Sequence, residues 1–81
     1  MMFTAHITVM PLTNLLDPQG KAVLGGLTNL GLTAVHDVRV GKHITLAIEA
    51  DDAAAAKAVA ELAANKLLAN PVMEQFEVVV L

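Results

Sequence analysis

From Phe3 to Met10 the chain alternates between two faces, with Phe3, Ala5, Ile7 and Val9 on one side and Thr4, His6, Thr8 and Met10 on the other. A period of two with one apolar side predicts a half-buried strand. Met10-Pro11-Leu12-Thr13-Asn14 breaks the pattern, and a helix is predicted from about Pro18 to Leu30. Asp17 can accept hydrogen bonds from helix N–H groups that have no internal partner. Pro18, at the first helical position, lacks an N–H and already holds a helical φ. Val23, Leu27 and Leu30 fall on one side at helical spacing, which predicts the core face, and Gly31 suits the left-handed position that ends a helix. Gly25-Gly26 interrupts this helix at a cost of about 1 kcal/mol per glycine relative to alanine. Close packing on the Gly26 side, near the core face, is the expected reason.

Residues 34 to 40 and 43 to 49 read as a β-hairpin around Gly41-Lys42. Parity decides its loop: counting Gly41, Lys42 and His43 as loop gathers Val38, Val40, Ile44, Leu46 and Ile48 on one face, whereas a two-residue loop would split them. A second helix is predicted from Asp51 or Asp52, either of which can cap it, to about Leu68. Ala55, Val59, Ala63 and Leu67 line one side of it and Lys57, Glu61 and Asn65 the other. Asn70-Pro71 stops it, because the residue before a proline disfavours helical geometry. Leu68 falls on the polar side, either facing a partner or tucked under the Asn70-Pro71 turn. Phe76, Val78 and Val80 then alternate with Glu77, Val79 and Leu81 as a last strand.

The order βαββαβ predicts the α+β class and the ferredoxin-like arrangement, an antiparallel sheet with two helices on one face. The other face would carry Thr4, His6, Thr8, Arg39, Thr45 and Glu77 among others, a mixture too polar for a core and too neutral for a strongly solvated surface. Such a face suits a second sheet stacked against it in a dimer.

Composition strengthens the expectation of an oligomer. The 81 residues make one domain, 1–81, of which 56% are hydrophobic, but much of that is alanine, with two phenylalanines and neither tyrosine nor tryptophan. Alanines bury little area each, so a lone chain is marginal and left-over apolar surface should meet a partner. The absence of cysteine excludes disulfides, thiol catalysis and cysteine-ligated zinc and fits a reducing compartment. Lys57, Glu61 and Lys66 in the longer helix argue against a membrane span, and the start of the chain does not read as a secretory signal. A cytoplasmic location is expected. Five basic residues against eight acidic ones leave a net charge of −3, no footprint for a nucleic-acid backbone.

No catalytic constellation emerges. Gly20-Lys21 and Gly41-Lys42 suggest a phosphate loop, but the Walker pattern needs serine or threonine after the lysine, and alanine and histidine stand there. A weak anion contact at Lys21 or Lys42 stays open. His6 and His36 fall on different strands and His43 in the loop, with no helical spacing and no carboxylate partner, so ordinary surface or partly buried histidines are favoured over a metal or general-base site. The chain has no serine, and Asp51-Asp52 lies where a helix cap is required.

Three segments carry a resemblance: Leu15-Leu16-Asp17-Pro18-Gln19-Gly20-Lys21-Ala22-Val23, then Val38-Arg39-Val40-Gly41-Lys42, then Lys66-Leu67-Leu68-Ala69-Asn70-Pro71-Val72-Met73-Glu74. In this order and spacing the chain resembles the PurS family, the small subunit of bacterial and archaeal phosphoribosylformylglycinamidine synthase. The resemblance implies a part in purine synthesis, at the step where formylglycinamide ribonucleotide becomes the amidine with use of ATP and glutamine. It implies a homodimer, with pairing into a tetramer left open, that bridges a large synthetase subunit and a glutaminase subunit and assists ammonia transfer. No catalytic residue and no cofactor is implied for this chain itself; ATP and Mg²⁺ are expected at the large subunit. Asp17, Gly20, Lys21, Arg39, Gly41, Lys42, Asn70 and Pro71 are the candidates for maintaining the fold and contacting the other subunits. A dimeric ligand-sensing domain of the ACT-like kind shares the βαββαβ order and is the competing reading. Such sensors are usually attached to an enzyme domain.

Overall fold

The first strand becomes the centre of the sheet because both of its edges find partners. The computed structural model describes residues 1–81, with strand β1 over Met2–Pro11, helix α1 over Pro18–Asn29, strand β2 over Lys42–Glu49, helix α2 over Ala53–Ala63 and strand β3 over Glu74–Val80. The strands lie in the order β2-β1-β3, both pairs antiparallel, with Phe3 opposite Ile48 and Ile7 opposite both Ile44 and Val78. The α+β class and the antiparallel sheet follow the expectation, and the three strands stand side by side as the ferredoxin-like order requires.

α2 crosses one face of all three strands. Its buried stripe of Ala56 and Ala60, continued by Ala64 just beyond its end, meets Ala5, Ile7 and Val9, all fully inaccessible to solvent. Alanine lets the helix lie close to the sheet, at the cost of a thin core in which Ile7 and Val9 are the largest fully buried side chains. This stripe is one residue off the predicted one: Val59 and Leu67 of the expected core side are exposed. The alanine run gives the sequence pattern little phase, and packing on the strands sets it. A π-helical turn over Ala64–Leu68 follows, closed by the Ala69 N–H on the Ala64 carbonyl at 2.9 Å. The extra residue per turn brings Leu68 back against the core and buries Ala69, so Leu68 is half-buried inside the fold.

Two expectations fail together. Residues 34 to 40 form no strand, and α1 makes no extended contact with the sheet. The backbone of 37 to 40 is engaged elsewhere: the Val40 N–H donates to Asp17 and the Val38 N–H to its own neighbour Asp37. The pairing of Val40 with Ile44 is therefore absent, and β2 starts at Lys42 without a hairpin. A sheet of three strands is roughly 10–14 Å across, about the width of one helix, so α2 fills it and leaves no room for α1. Val23 and Leu30, predicted to face the core, are exposed, and Gly25 and Gly26 have open space where a Cβ would stand.

α1 instead forms an arm. Asp17 caps its start, and its end is closed by the Gly31 N–H on the Thr28 carbonyl and the Leu32 N–H on the Leu27 carbonyl, both at 3.0 Å, with Gly31 at φ 88°. The chain measures 50 × 24 × 14 Å with a radius of gyration of 16.1 Å, where a compact chain of this length would have about 12 Å. Only nine of 81 residues are buried, so much of the apolar surface, including Leu30, Leu32, Val59 and Leu62, has no partner within the chain. No helix is long and apolar enough to cross a membrane.

Candidate functional site

One end of the sheet gathers most of the residues of the three sequence segments. The end of β1, the start of α1, the start of β2 and the turn into β3 meet there, and side chains tie their backbones together. Asp17 is the knot. One carboxylate oxygen accepts the Gly20 N–H at 3.0 Å, the helix cap read from the sequence, and the other accepts the Val40 N–H at 2.8 Å. These two N–H groups, Val40 first, hold the Asp17 carboxyl below its ordinary value, with the nearby Arg39 charge adding to the effect against a partial desolvation.

Arg39 was expected on the open sheet face. Its guanidinium instead reaches back over the end of β1 and donates to the carbonyls of Pro11 at 3.0 Å, Thr13 at 3.1 Å and Leu12. The planar fork serves three carbonyls of one turn, which an ammonium could not do in the same geometry. Gly20 and Gly41 are where backbones approach most closely. A Cβ on Gly20 would run into the Val38 carbonyl, and one on Gly41 into the Val9 carbonyl and the Met10 sulfur.

Asn70 and Glu74 tie the other side. The Asn70 side chain accepts the Val72 N–H at 3.0 Å, and the Glu74 carboxylate accepts the Asn70 N–H at 2.8 Å. The same carboxylate oxygen stands 4.0 Å from Lys42 Nζ, an ion pair between the first residues of β2 and β3 across β1. Pro71 is exposed in the turn, and Lys21 projects into solvent from the first turn of α1 beside Arg39 and Asp37. A cleft of about 280 Å³ lies between these elements, lined by Leu15, Leu16, Asp17, Val40, Asn70 and Met73 among others. Exposed apolar side chains stand at its edge, Leu16 and Met73 from the lining and Val72 next to Met73 in the chain.

Of the eight candidates, Asp17, Gly20, Arg39, Gly41, Lys42 and Asn70 thus build one junction, while Lys21 and Pro71 stand at its edge. Glu74 belongs to the third segment but not to the eight candidates; its place four residues after Asn70, on a turn that needs a cap, is the signal for it. The arrangement commits both carboxylates to backbone N–H groups, and Asp17 stays ionised well below neutral pH. What it offers is a rigid corner with an apolar rim.

His43 corrects the sequence reading in a second place. Because β2 begins at Lys42, His43 lies within the strand opposite Thr8 rather than in a loop, and its ring meets His6 on the open face.

This chain's residues 4–81 match the family model PurS, described as phosphoribosylformylglycinamidine (FGAM) synthase. It is 42% identical over 79 residues to phosphoribosylformylglycinamidine synthase subunit PurS of Mycobacterium leprae, covering 95% of this chain and 94% of that protein. Against the Synechocystis subunit PurS it is 42% identical over 71 residues, 88% of this chain and 69% of that protein. Its fold superposes on Bacillus subtilis PurS with a TM-score of 0.88 at 34% identity, over 98% of each chain. A chain in the structure of PurLQS from Thermotoga maritima gives 0.91 at 33% identity, over 100% of this chain and 99% of that one. Coverage this complete includes the projecting arm as well as the sheet, and on sequence and fold together the chain belongs to the PurS family of phosphoribosylformylglycinamidine synthase subunits.

Proposed function

We propose that this chain is the small, non-catalytic subunit of the synthase complex that converts formylglycinamide ribonucleotide to the amidine with ATP and glutamine, and that it joins the large synthetase subunit to the glutaminase and assists transfer of ammonia between them. The observation that carries this reading is the arm. α1 and the segment after it leave Val23, Leu30 and Leu32 without a partner in the chain, and a marginal core cannot sustain that exposure unless assembly removes it from water. A chain with the same fold occurs in the PurLQS structure from Thermotoga maritima, where the letters name three components.

Part of this surface is assigned to a second copy of the chain, giving a homodimer, and the apolar rim formed by Leu16, Val72 and Met73 to the other subunits. ATP and Mg²⁺ belong to the large subunit in this scheme, which is supported by the state of the anion-binding groups here: the Gly20 N–H at the start of α1, where a phosphate would sit, already holds the Asp17 carboxylate. A cytoplasmic location follows from the phosphorylated substrate and ATP. Assembly is tested by mixing the chain with the large subunit and the glutaminase on a sizing column with scattering detection. Co-migration of the three is expected, and elution of this chain apart from both would refute the subunit reading.

A further inference from the structure

Two imidazoles meet on the sheet face that α2 leaves uncovered. His6 lies opposite Thr45 and His43 opposite Thr8, so the two are diagonal neighbours on adjacent strands with their side chains on the same face. His6 Nδ1 and His43 Nε2 are 3.2 Å apart, and the ring centroids 5.3 Å. In the neutral pair that spacing is an N–H···N hydrogen bond. It is also close to the separation of two nitrogens bound to one tetrahedral ion, since a metal–nitrogen distance of 2.0–2.1 Å gives an edge of about 3.3–3.4 Å.

The backbone supplies what a metal site needs from its scaffold. Both residues sit inside a paired ladder, so their Cα positions are fixed and only ring rotation is required to turn both lone pairs towards one point. In the single chain both rings reach solvent, His43 exposed and His6 half-buried, which leaves an entry path. Glu77 lies opposite Thr8 on the other side of β1 and is therefore a diagonal neighbour of His6 on the same face, where its charge offsets that of a cation. No third His, Cys, Asp or Glu closes into a ligand cluster, so water fills the remaining positions. Imidazole ligands select the borderline ions Zn²⁺, Ni²⁺ and Cu²⁺ over Mg²⁺ or Ca²⁺.

We propose that His6 and His43 together bind one borderline transition-metal ion, such as Zn²⁺, on the open face of the sheet. The site uses neither the arm nor the junction around Asp17, and it lies on the sheet face that also suits a second copy of the chain, so a zinc-dependent change in oligomer size on a sizing column is read alongside the titration. His36, exposed in the segment after α1, serves as an internal control.

The test is a titration of the full chain with ZnCl₂ at pH 7.5, followed by the histidine ring resonances and by calorimetry, with MgCl₂ as comparison. The expected result is one ion per His6–His43 pair, with both rings shifting at the same metal concentration while His36 stays still. His6→Gln and His43→Gln should each weaken binding at least tenfold. Independent midpoints for the two rings, equal response of His36, or unchanged binding in the double variant would overturn the proposal and leave the pair as a hydrogen bond only. The resonances of the unaltered chain decide the matter even where a variant fails to fold.

Discussion

Asp17 accepts the N–H of Val40 at 2.8 Å, linking the start of α1 to the residue just before Gly41 and β2 across 23 positions of sequence. The same carboxylate caps α1 through Gly20. One side chain therefore fixes both ends of the segment that leaves the sheet as an arm, and it does so at the price of the strand that residues 34 to 40 would otherwise add.

Stability should depend on the Asp17 charge. The N–H groups of Val40 and Gly20 hold its pKa in the folded chain below the ordinary aspartate value of the unfolded one. Its contribution is then fully present above that unfolded value and is lost as pH falls through the folded one. Asp17→Asn keeps a single acceptor and turns N–H donors towards Val40 or Gly20. Urea midpoints at pH 7 should be lower for the variant than for the original chain, and the two should converge as pH falls through the folded-state pKa of Asp17. A constant difference across that range would show that the charge plays no part.

Four of the five glycines divide into two classes. Gly20→Ala and Gly41→Ala each drive a Cβ into backbone of another segment, and each should cost about 1–3 kcal/mol. Gly25→Ala and Gly26→Ala meet open space and should stabilise the helix by about 0.5–1 kcal/mol each. Denaturant unfolding separates the classes. If the glycine side of α1 seats another chain in the assembly, the second pair should also weaken association on a sizing column while the isolated chain gains stability.

Lys21 and Lys42 test the cationic edge of the junction. Lys21 is exposed in the first turn of α1, and the Lys42–Glu74 pair is long at 4.0 Å, so loss of either ammonium should change stability by no more than about 1 kcal/mol. Lys21→Ala and Lys42→Ala are expected to fold normally and to weaken assembly or glutamine-dependent activity. Normal assembly and activity in both would make these lysines solvated bystanders.

Much of this was legible in the sequence wherever local physics acts alone. The alternation of β1 named Ala5, Ile7 and Val9, which are the buried centre of the sheet, and Asp17, Pro18 and Gly31 marked the ends of α1 within a residue. What stayed hidden depended on long-range competition. Val35, Val38 and Val40 carry strand-forming side chains, but Asp17 takes the Val40 N–H from 23 residues away, and Arg39 ties the segment to carbonyls at the end of β1 and beyond it, 26 to 28 residues away. The phase of α2 was concealed by its alanines, and the apolar stripe of α1 looked like a core face because helical period does not tell which surface a stripe meets. The meeting of His6 and His43 was lost with the hairpin, since the loop that parity favoured contained His43.

The most direct measurement is the rate of amidine formation by the large subunit and the glutaminase, with and without this chain, supplied in turn with glutamine and with ammonia. The account predicts that adding the chain raises the glutamine-dependent rate and leaves the ammonia-dependent rate nearly unchanged, because the large subunit holds the chemistry and the small one brings the source of ammonia to it. Equal glutamine-dependent rates in the presence and absence of the chain would contradict it.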